Sequence, residues 1–440
     1  MMQHLSPHSD IFHMLLSLLS LLPPQGANDY GQLGLGHTED VWNPSVIGPI
    51  PAPPDSTLTS PSPSPSPPVV VALTGGGGHT MVLLESGRLL ACGWNAEGQV
   101  GIAESAKTPP DAESPATTAT VQAAPPSTGT ARPVASTPSD SSGGRNSHPN
   151  LLRLRDVEFD PGVRVTRVAC GWAHTLAVAG GRHELFGWGS NAHGQLGVCT
   201  AAPTARAKRV CVWLPTRIGG LDGVLDVTCG MRHSVIVSSD GRALGWGANR
   251  HGQLGLNPSH EPRATEPRAM WPLAAGEGPG MPGGGEALRL GVALSVSAGA
   301  NHTAILTTAG RVLCCGSNRH GQCGGSAGDI AATSGDTGVA AVPRPPTTTH
   351  SASSAARPKV WPARVVAVPG DLTFDEVHCG WTHTVAVASG RGAVWSWGRH
   401  HHGQLGHTPV PRAAGAAGYT ADQHQLLHHR LDPLFFARFH

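Results

Sequence analysis

A unit that begins at a His-Thr or His-Ser pair and ends at a Gly-Gln-x-Gly corner occurs five times in this chain, and its length hardly varies. The pairs open at His79, His174, His233, His302 and His383, and the corners carry Gln99, Gln195, Gln253, Gln322 and Gln404. From His to Gln the separations are 20, 21, 20, 20 and 21 residues. From each Gln to the next His they are 75, 38, 49 and 61. A unit of fixed length between connections of free length is a folded repeat with its insertions looped out. A sixth, half copy opens the pattern at Gly26–Gly34 and carries Gln32.

Residues 170–197 are the clearest copy. Thr175–Ala179 is short and largely apolar, Gly180-Gly181-Arg182 makes a turn, and Glu184–Trp188 follows before the Gly-rich corner. Two apolar runs joined by a short Gly turn predict a β-hairpin. A lone hairpin cannot bury its apolar face, so the copies must pack around a common axis. The fold class expected is all-β, a β-propeller. Trp188, Trp246 and Trp397 share one register and are expected to pack between blades. Val69–Leu73, Val163–Ala169, Val365–Val368 and Glu376–His378 have strand character and lead into their copies.

The propeller is expected over 26–406. Insertions are expected at about 49–68 (Pro- and Ser-rich), 103–150, 257–287 and 325–358, with the long ones lacking the apolar residues to fold. Residues 407–440 form a C-terminal tail, since the pattern stops after Gly406. Residues 1–25 form an N-terminal segment foreign to the repeat. Its apolar run, 11–22, is too short to span a membrane. That run reads as an alternative first segment in place of a first-blade strand, as a signal-like stretch without a basic start, or as an ordinary apolar element.

Composition narrows the chemistry. Only 13% of residues are charged, with 58 Gly and 39 Pro, which suits many turns and little helix. A net charge of +1 and three lysines (Lys107, Lys208, Lys359) leave no general footprint for nucleic acid. The cluster Arg206, Lys208, Arg209 reads as a solvated loop. Among nine cysteines, Cys170, Cys229 and Cys379 share one register, and Cys92 and Cys315 take the Trp register. Equivalent points of separate blades do not suit disulfides, so these read as buried thiols of a reducing compartment.

No catalytic, cofactor-binding or metal site is expected. Histidines at one register of different blades are too far apart for one ion, which needs three or four converging ligands. Each is expected to bond backbone at its strand start, helped by the Thr or Ser that follows. His400-His401-His402 and His407 read as a surface loop. Gln32, Gln99, Gln195, Gln253, Gln322 and Gln404 are expected to satisfy turn groups where the chain leaves the sheet, with Leu33, Val100, Leu196, Leu254, Cys323 and Leu405 beside them packing between blades. Gly75–Gly78 lacks the Lys-Ser/Thr of a phosphate loop. Asp222, Asp226, Asp240 and Glu376 have no repeated basic partner.

The landmarks CGxxHT … GRxxxWGxNxxGQLG resemble the repeats of the regulator of chromosome condensation family, from 26 to 406 apart from the insertions. The resemblance implies a propeller that is seven-bladed in the family, with four antiparallel strands per blade and with the two ends of the chain closing the ring together. By that comparison this chain has six recognisable repeat signatures, an incomplete first blade and no last repeat. GANDYGQLGLGHTEDV (26–41), LTGGGGHT (73–80), CGWNAEGQVG (92–101) and GWTHTVAVASGRGAVWSWGRHHHGQLG (380–406) are similar to a branch of guanine nucleotide exchange factors linked to secretion. That branch implies a monomeric regulator of small GTPases in the cytoplasm, with the nucleus as a second location, whose partner is a small GTPase or a secretion-machinery protein. The alternative is a non-catalytic interaction scaffold. Chromatin binding is a weaker third reading, opposed by the near-neutral charge.

Overall fold

The computed structural model describes residues 27–51 (except 44, 48 and 49), 68–102, 150–198, 210–271, 290–325, 359–406 (except 369–371, 391 and 402) and 429–431. Within them are five antiparallel sheets of four strands. The first blade contains β1 (Val70–Gly75), β2 (His79–Leu84), β3 (Leu89–Gly93) and β4 (Leu151–Asp156). The second contains β5 (Val165–Cys170), β6 (His174–Ala179), β7 (Glu184–Ser190) and β8 (Cys211–Arg217). The third contains β9 (Val224–Cys229), β10 (His233–Ser238), β11 (Ala243–Ala248) and β12 (Arg263–Trp271). The fourth contains β13 (Ala293–Ala298), β14 (His302–Thr307), β15 (Val312–Ser317) and β16 (Lys359–Val365). The fifth contains β17 (Phe374–Cys379), β18 (His383–Ala388), β19 (Val394–Gly398) and β20 (His429–Leu431). Each sheet is a simple meander, each strand bonded to the next.

The core lies between the blades. Met81, Leu83 and Val100 of the first pack on Val165, Ala177 and Trp188 of the second. Leu176, Leu185 and Leu196 meet Val227, Ile236 and Trp246. Val235, Met270 and Trp271 meet Ile305, Leu313 and Cys315, and Ala304, Leu306 and Cys323 meet Phe374, Ala386 and Trp397. A blade in the middle of the series is therefore covered on both faces. This is why its second strands read as unbroken apolar runs rather than alternating ones. The outer face of the first blade is covered in cis, with Val82, Leu84 and Leu90 packed against Ile50. On β18 the pattern alternates instead: Thr384, Ala386 and Ala388 are buried, while His383, Val385 and Val387 are half-buried.

Several expectations need correction. The described residues hold five blades, not the six signatures read as blades nor the family's seven. The half copy builds no sheet of its own. What is described of it is the corner, which is turn structure in every copy, and it leans on the first blade through a bridge between Leu35 and Arg153. Residues 263–271, inside the stretch 257–287 read as insertion, are β12. Val365–Val368 is not an inner strand: β16 ends at Val365, and Phe374–Cys379 takes the inner place. The outer strands β4, β8, β12 and β16 escape a sequence reading because they are half-exposed and stand at variable distances from their Gln. His429–Leu431, within the expected tail, pairs with β19. Residues 11–22, Arg206, Lys208, Arg209 and His407 lie outside the described residues, as do the bodies of the long insertions. No helix among the described residues is long and apolar enough to cross a membrane.

Ile236 is fully buried between the second and third blades. Ile236→Ala should lower stability by about 2–5 kcal/mol through lost transfer energy and a cavity, read as a drop in the urea midpoint.

Candidate interaction surface

The spacing of the repeat is explained by one hydroxyl at each junction. Thr175 of the second blade donates to the backbone carbonyl of Gln99 in the first, at 2.9 Å, and stands 3.0 Å from Nε2 of His79, also in the first. Ser234 is held by Gln195 (2.7 Å) and His174 (3.0 Å). Thr303 is held by Gln253 (2.7 Å) and His233 (3.1 Å). Thr384 is held by Gln322 (2.9 Å) and His302 (3.1 Å). His and Gln of one blade thus grip the same hydroxyl of the next, so the chain between them has a fixed length. The half copy supplies the same contact to the first blade, Thr80 donating to the Gln32 carbonyl at 2.9 Å.

The tryptophans close the junction. The indole N–H groups of Trp188, Trp246 and Trp397 donate to the carbonyls of Gln99, Gln195 and Gln322 at 3.0, 2.9 and 3.0 Å. Cys92 and Cys315, in the same register, point thiols at Gln32 and Gln253 at 3.4 and 3.5 Å. Gln side chains work locally: Oε1 of Gln32, Gln99, Gln195, Gln253 and Gln322 each accepts from the backbone N–H two residues earlier. At the end of the series His383 and Gln404 are half-buried and Leu405 is buried, and beyond them the described residues hold no further blade.

A set of residues that the sequence reading did not single out completes each corner. Asn28, Asn95, Asn191, Asn249 and Asn318 accept from the backbone N–H five residues on. The repeated N in the landmark WGxN is the signal that could have found them. His400 stands in this place in the last corner, its Nδ1 accepting from Leu405 at 3.3 Å. No group of three metal ligands occurs among the described residues.

Because each hydroxyl gives its proton to a carbonyl, it must accept from the ring. The four imidazoles of His79, His174, His233 and His302 therefore carry a proton on Nε2, and each buried Nδ1, with no hydrogen-bond partner among the described residues, disfavours a second proton and keeps the ring neutral. The expected backbone bond from these rings is replaced by the cross-blade hydroxyl. Glycine is required below each ring: a methyl at Gly76, Gly171, Gly230, Gly299 or Gly380 would overlap the imidazole. The Gly run at 75–78 is thereby explained, since Gly77 is also pressed against Trp172 and Gly78 against Tyr30. Burial pushes the histidine pKa values down, to about 4 for His79 and about 3 for His174, His233 and His302. Burial also lowers His383. The thiols of Cys92, Cys170 and Cys315 are pushed up to about 12 by burial, so they are inert packing groups.

Inside the ring the five first strands line a cavity of about 760 Å³. Asp226 lies on its wall, accepting from the backbone N–H groups of Val296 and Val227 at 3.0 Å each. Burial holds its pKa above the usual carboxylate range. Glu376 and His378 are 3.3 Å apart on β17. Asp222 and Asp240 pair with Arg217 and Arg242 on the outside of the molecule. At one mouth of the cavity the turns Gly77, Trp172, Met231, Ala300 and Trp381 stand at equivalent places. Gly77 N–H donates to Trp172 O (3.1 Å), Met231 N–H to Ala300 O (3.2 Å) and Ala300 N–H to Trp381 O (3.0 Å). The rings of Trp172 and Trp381 meet across this mouth, centroids 5.5 Å apart.

Two outcomes follow for the junctions. Thr175→Val should lower stability by about 2–4 kcal/mol, because it orphans a buried imidazole N–H and leaves the Gln99 carbonyl with the indole alone. Thr175→Ser should keep most of it, and the two urea midpoints decide. The pH dependence has a defined sign. In the unfolded chain these histidines titrate near pH 6.5, and in the fold near 3 to 4, so the unfolded chain binds more protons between those values. Their contribution is full above about pH 6.5 and is lost as the pH falls towards 4. With four sites the slope approaches about 5 kcal/mol per pH unit around pH 5. Thermal melts from pH 7.5 to 5 should show that steep decline.

Comparison with known proteins fits this geometry. Residues 70–99, 165–195, 224–253 and 294–322 match the regulator of chromosome condensation (RCC1) repeat in one framing, and residues 25–83, 182–237 and 240–306 match it in a second. Together they cover more than half of the chain. The secretion-regulating guanine nucleotide exchange factor of Mus musculus is 27% identical over 401 residues, 91% of this chain and 64% of that protein. Its Bos taurus counterpart is 28% identical over 391 residues, 88% of this chain and 61% of that protein. The chain thus spans less than two-thirds of the length of these relatives. The probable E3 ubiquitin-protein ligase HERC4 of Homo sapiens is 27% identical over 254 residues, 57% of this chain and 19% of its own length. Among solved structures, human WBSCR16 superposes with a TM-score of 0.54 at 19% identity, covering 93% of this chain and 75% of that one. Yeast RCC1 (Prp20), solved bound to Kap60, has a TM-score of 0.51 at 19% identity, covering 98% and 89%. At that identity the structures speak for the fold alone. The chain belongs to the regulator of chromosome condensation repeat family.

Proposed function

We propose that the chain is a regulator of a small GTPase, linked to secretion and acting through protein–protein contacts made by propeller loops, with guanine nucleotide exchange as its activity. The observation that carries this reading is the similarity to two secretion-regulating exchange factors along 91% and 88% of the chain, rather than over one repeat. Exchange needs no bond to be made or broken. A factor that binds the nucleotide-free GTPase more tightly than the loaded one accelerates release by that difference in affinity. A rigid propeller suits the task, because a loop held by packed blades loses little entropy on binding. The location proposed is the cytoplasm, with the nucleus second, and the protein is taken to act as a monomer.

A non-catalytic scaffold is the second reading. One observation favours it: the same repeats match ubiquitin ligases of which they make up only 19%. A propeller shared among proteins with different names is a binding module whose activity lies elsewhere.

Release of fluorescent GDP from a panel of small GTPases separates the two. Under the exchange reading, catalytic amounts of folded protein speed release from one GTPase by about 10²-fold or more, equivalent to about 3 kcal/mol of differential binding. Unchanged release across the panel, from protein with intact β structure, sinks the exchange reading and leaves the scaffold.

A further inference from the structure

We propose that the end of the propeller at which β2, β6, β10, β14 and β18 begin is a docking surface for an acidic peptide segment of a partner protein. The surface combines an exposed indole pair with a set of exposed arginines that form no ion pair among the described residues.

The indoles come first. Trp172 and Trp381 occupy the same register in the second and fifth blades and meet at the cavity mouth, tilted 52° to one another, yet remain 40% and 50% exposed. Their backbones are tied into the ring of turns described above, so the pair is held in place rather than free to fold away. Tyr30 and Trp94 make a second ring pair at this end beside the first blade, 5.6 Å apart. Rigid, water-facing tryptophan is the residue type that dominates binding energy at protein interfaces, together with Tyr and Arg.

Arginines stand at the same end. Arg232 directly follows Met231 in the same row of turns, and Arg250, Arg263 and Arg319 stand on the neighbouring corners and at the start of β12. All four are exposed, and none is in an ion pair among the described residues. The pKa of His193 is lowered by burial and then by the charges of Arg232, Arg250 and Arg263. Acids at this end include Asp29, Glu39, Asp40, Glu97 and Glu261, the last 3.7 Å from Arg268. At the other end Arg88 pairs with Asp156 at 2.9 Å, Arg217 with Glu184 and Asp222 at 2.9 Å each, and Arg242 with Asp240 at 3.8 Å, while Arg164 bonds the Glu85 carbonyl at 2.9 Å.

Charge complementarity selects carboxylates, which guanidinium groups bind in paired hydrogen bonds. The apolar indole pair at the same end selects a peptide over a duplex, whose affinity would rest on many phosphate contacts that so few cations do not supply. The inference rests on the protein acting by protein contacts, but not on the partner being a GTPase.

The test uses the full chain and a short fluorescent peptide of alternating Glu and Phe, followed by anisotropy. Its controls are the same peptide with Gln for Glu, and a short DNA duplex. The Glu peptide should bind, and the double variant Arg232→Glu/Arg250→Glu should raise its Kd about tenfold or more. Trp172→Ala/Trp381→Ala should also weaken it, while Arg242→Glu at the opposite end should not. These positions are exposed, and unchanged circular dichroism verifies that the variants fold. Equal binding of the Gln peptide, indifference to the arginine and tryptophan variants, or displacement by an equal concentration of duplex would overturn the proposal. The GDP-release assay is read separately, so failure of either idea is distinguishable from failure of the other.

Discussion

Each blade junction depends on a single hydroxyl. Thr175, Ser234, Thr303 and Thr384 each donate to a glutamine carbonyl and accept from a histidine ring, both of the preceding blade. These groups are fully buried, so no water stands ready to replace a lost partner. The hydrophobic seams give the blades most of their attraction, but that attraction is non-directional. The hydroxyl fixes the rotation and height of one sheet against the next, because both donor and acceptor directions are used. A segment of 20 or 21 residues is what spans the sheet from the ring to the carbonyl. Insertions between them would pull one of the two grips away, whereas insertions between Gln and the next His touch neither.

The same junction makes the fold depend on neutral histidine. A proton on Nδ1 would be buried facing a glycine Cα with nothing to accept it, so the rings refuse it until well below their ordinary range. Four such sites in series couple the whole chain of blades to pH. The two flanks of the series differ. The first blade receives a carbonyl from Gln32 and a cover from Ile50, both supplied from the half copy and its continuation. The last blade presents His383, Val385 and Val387 half-buried at its outer face.

Repetition also separates what holds the fold from what can recognise a partner. In the first four blades the recurring His, hydroxyl and Gln positions are buried or nearly so and engaged with their neighbours. The row formed by Gly77, Trp172, Met231, Ala300 and Trp381 occupies equivalent backbone places with five side chains of four kinds. Its backbone hydrogen bonds are the shared part, and the side chains of Trp172, Met231 and Trp381 line the cavity mouth. Variation on a fixed frame is how a repeat architecture acquires a specific binding face.

Much of this was legible in the sequence. The His-to-Gln spacing predicted a folded unit, the Gly turn between Thr175–Ala179 and Glu184–Trp188 predicted the hairpin at β6 and β7, and the shared register of Trp188, Trp246 and Trp397 predicted burial between blades. These depend on contacts within one repeat, or on a pattern repeated often enough to stand out. The outer strands, the count of five blades and the place of His429–Leu431 were not legible, because pairing partners far apart in the chain leave no local mark. The bond from each histidine to the next blade's hydroxyl was also hidden. Sequence alone places His79 beside Thr80, and only the packing of one blade on the next brings it to Thr175 instead. The chain by itself determined a repeated β unit with buried polar landmarks. The tertiary structure decided which landmark meets which, because those contacts exist only where two blades share a seam.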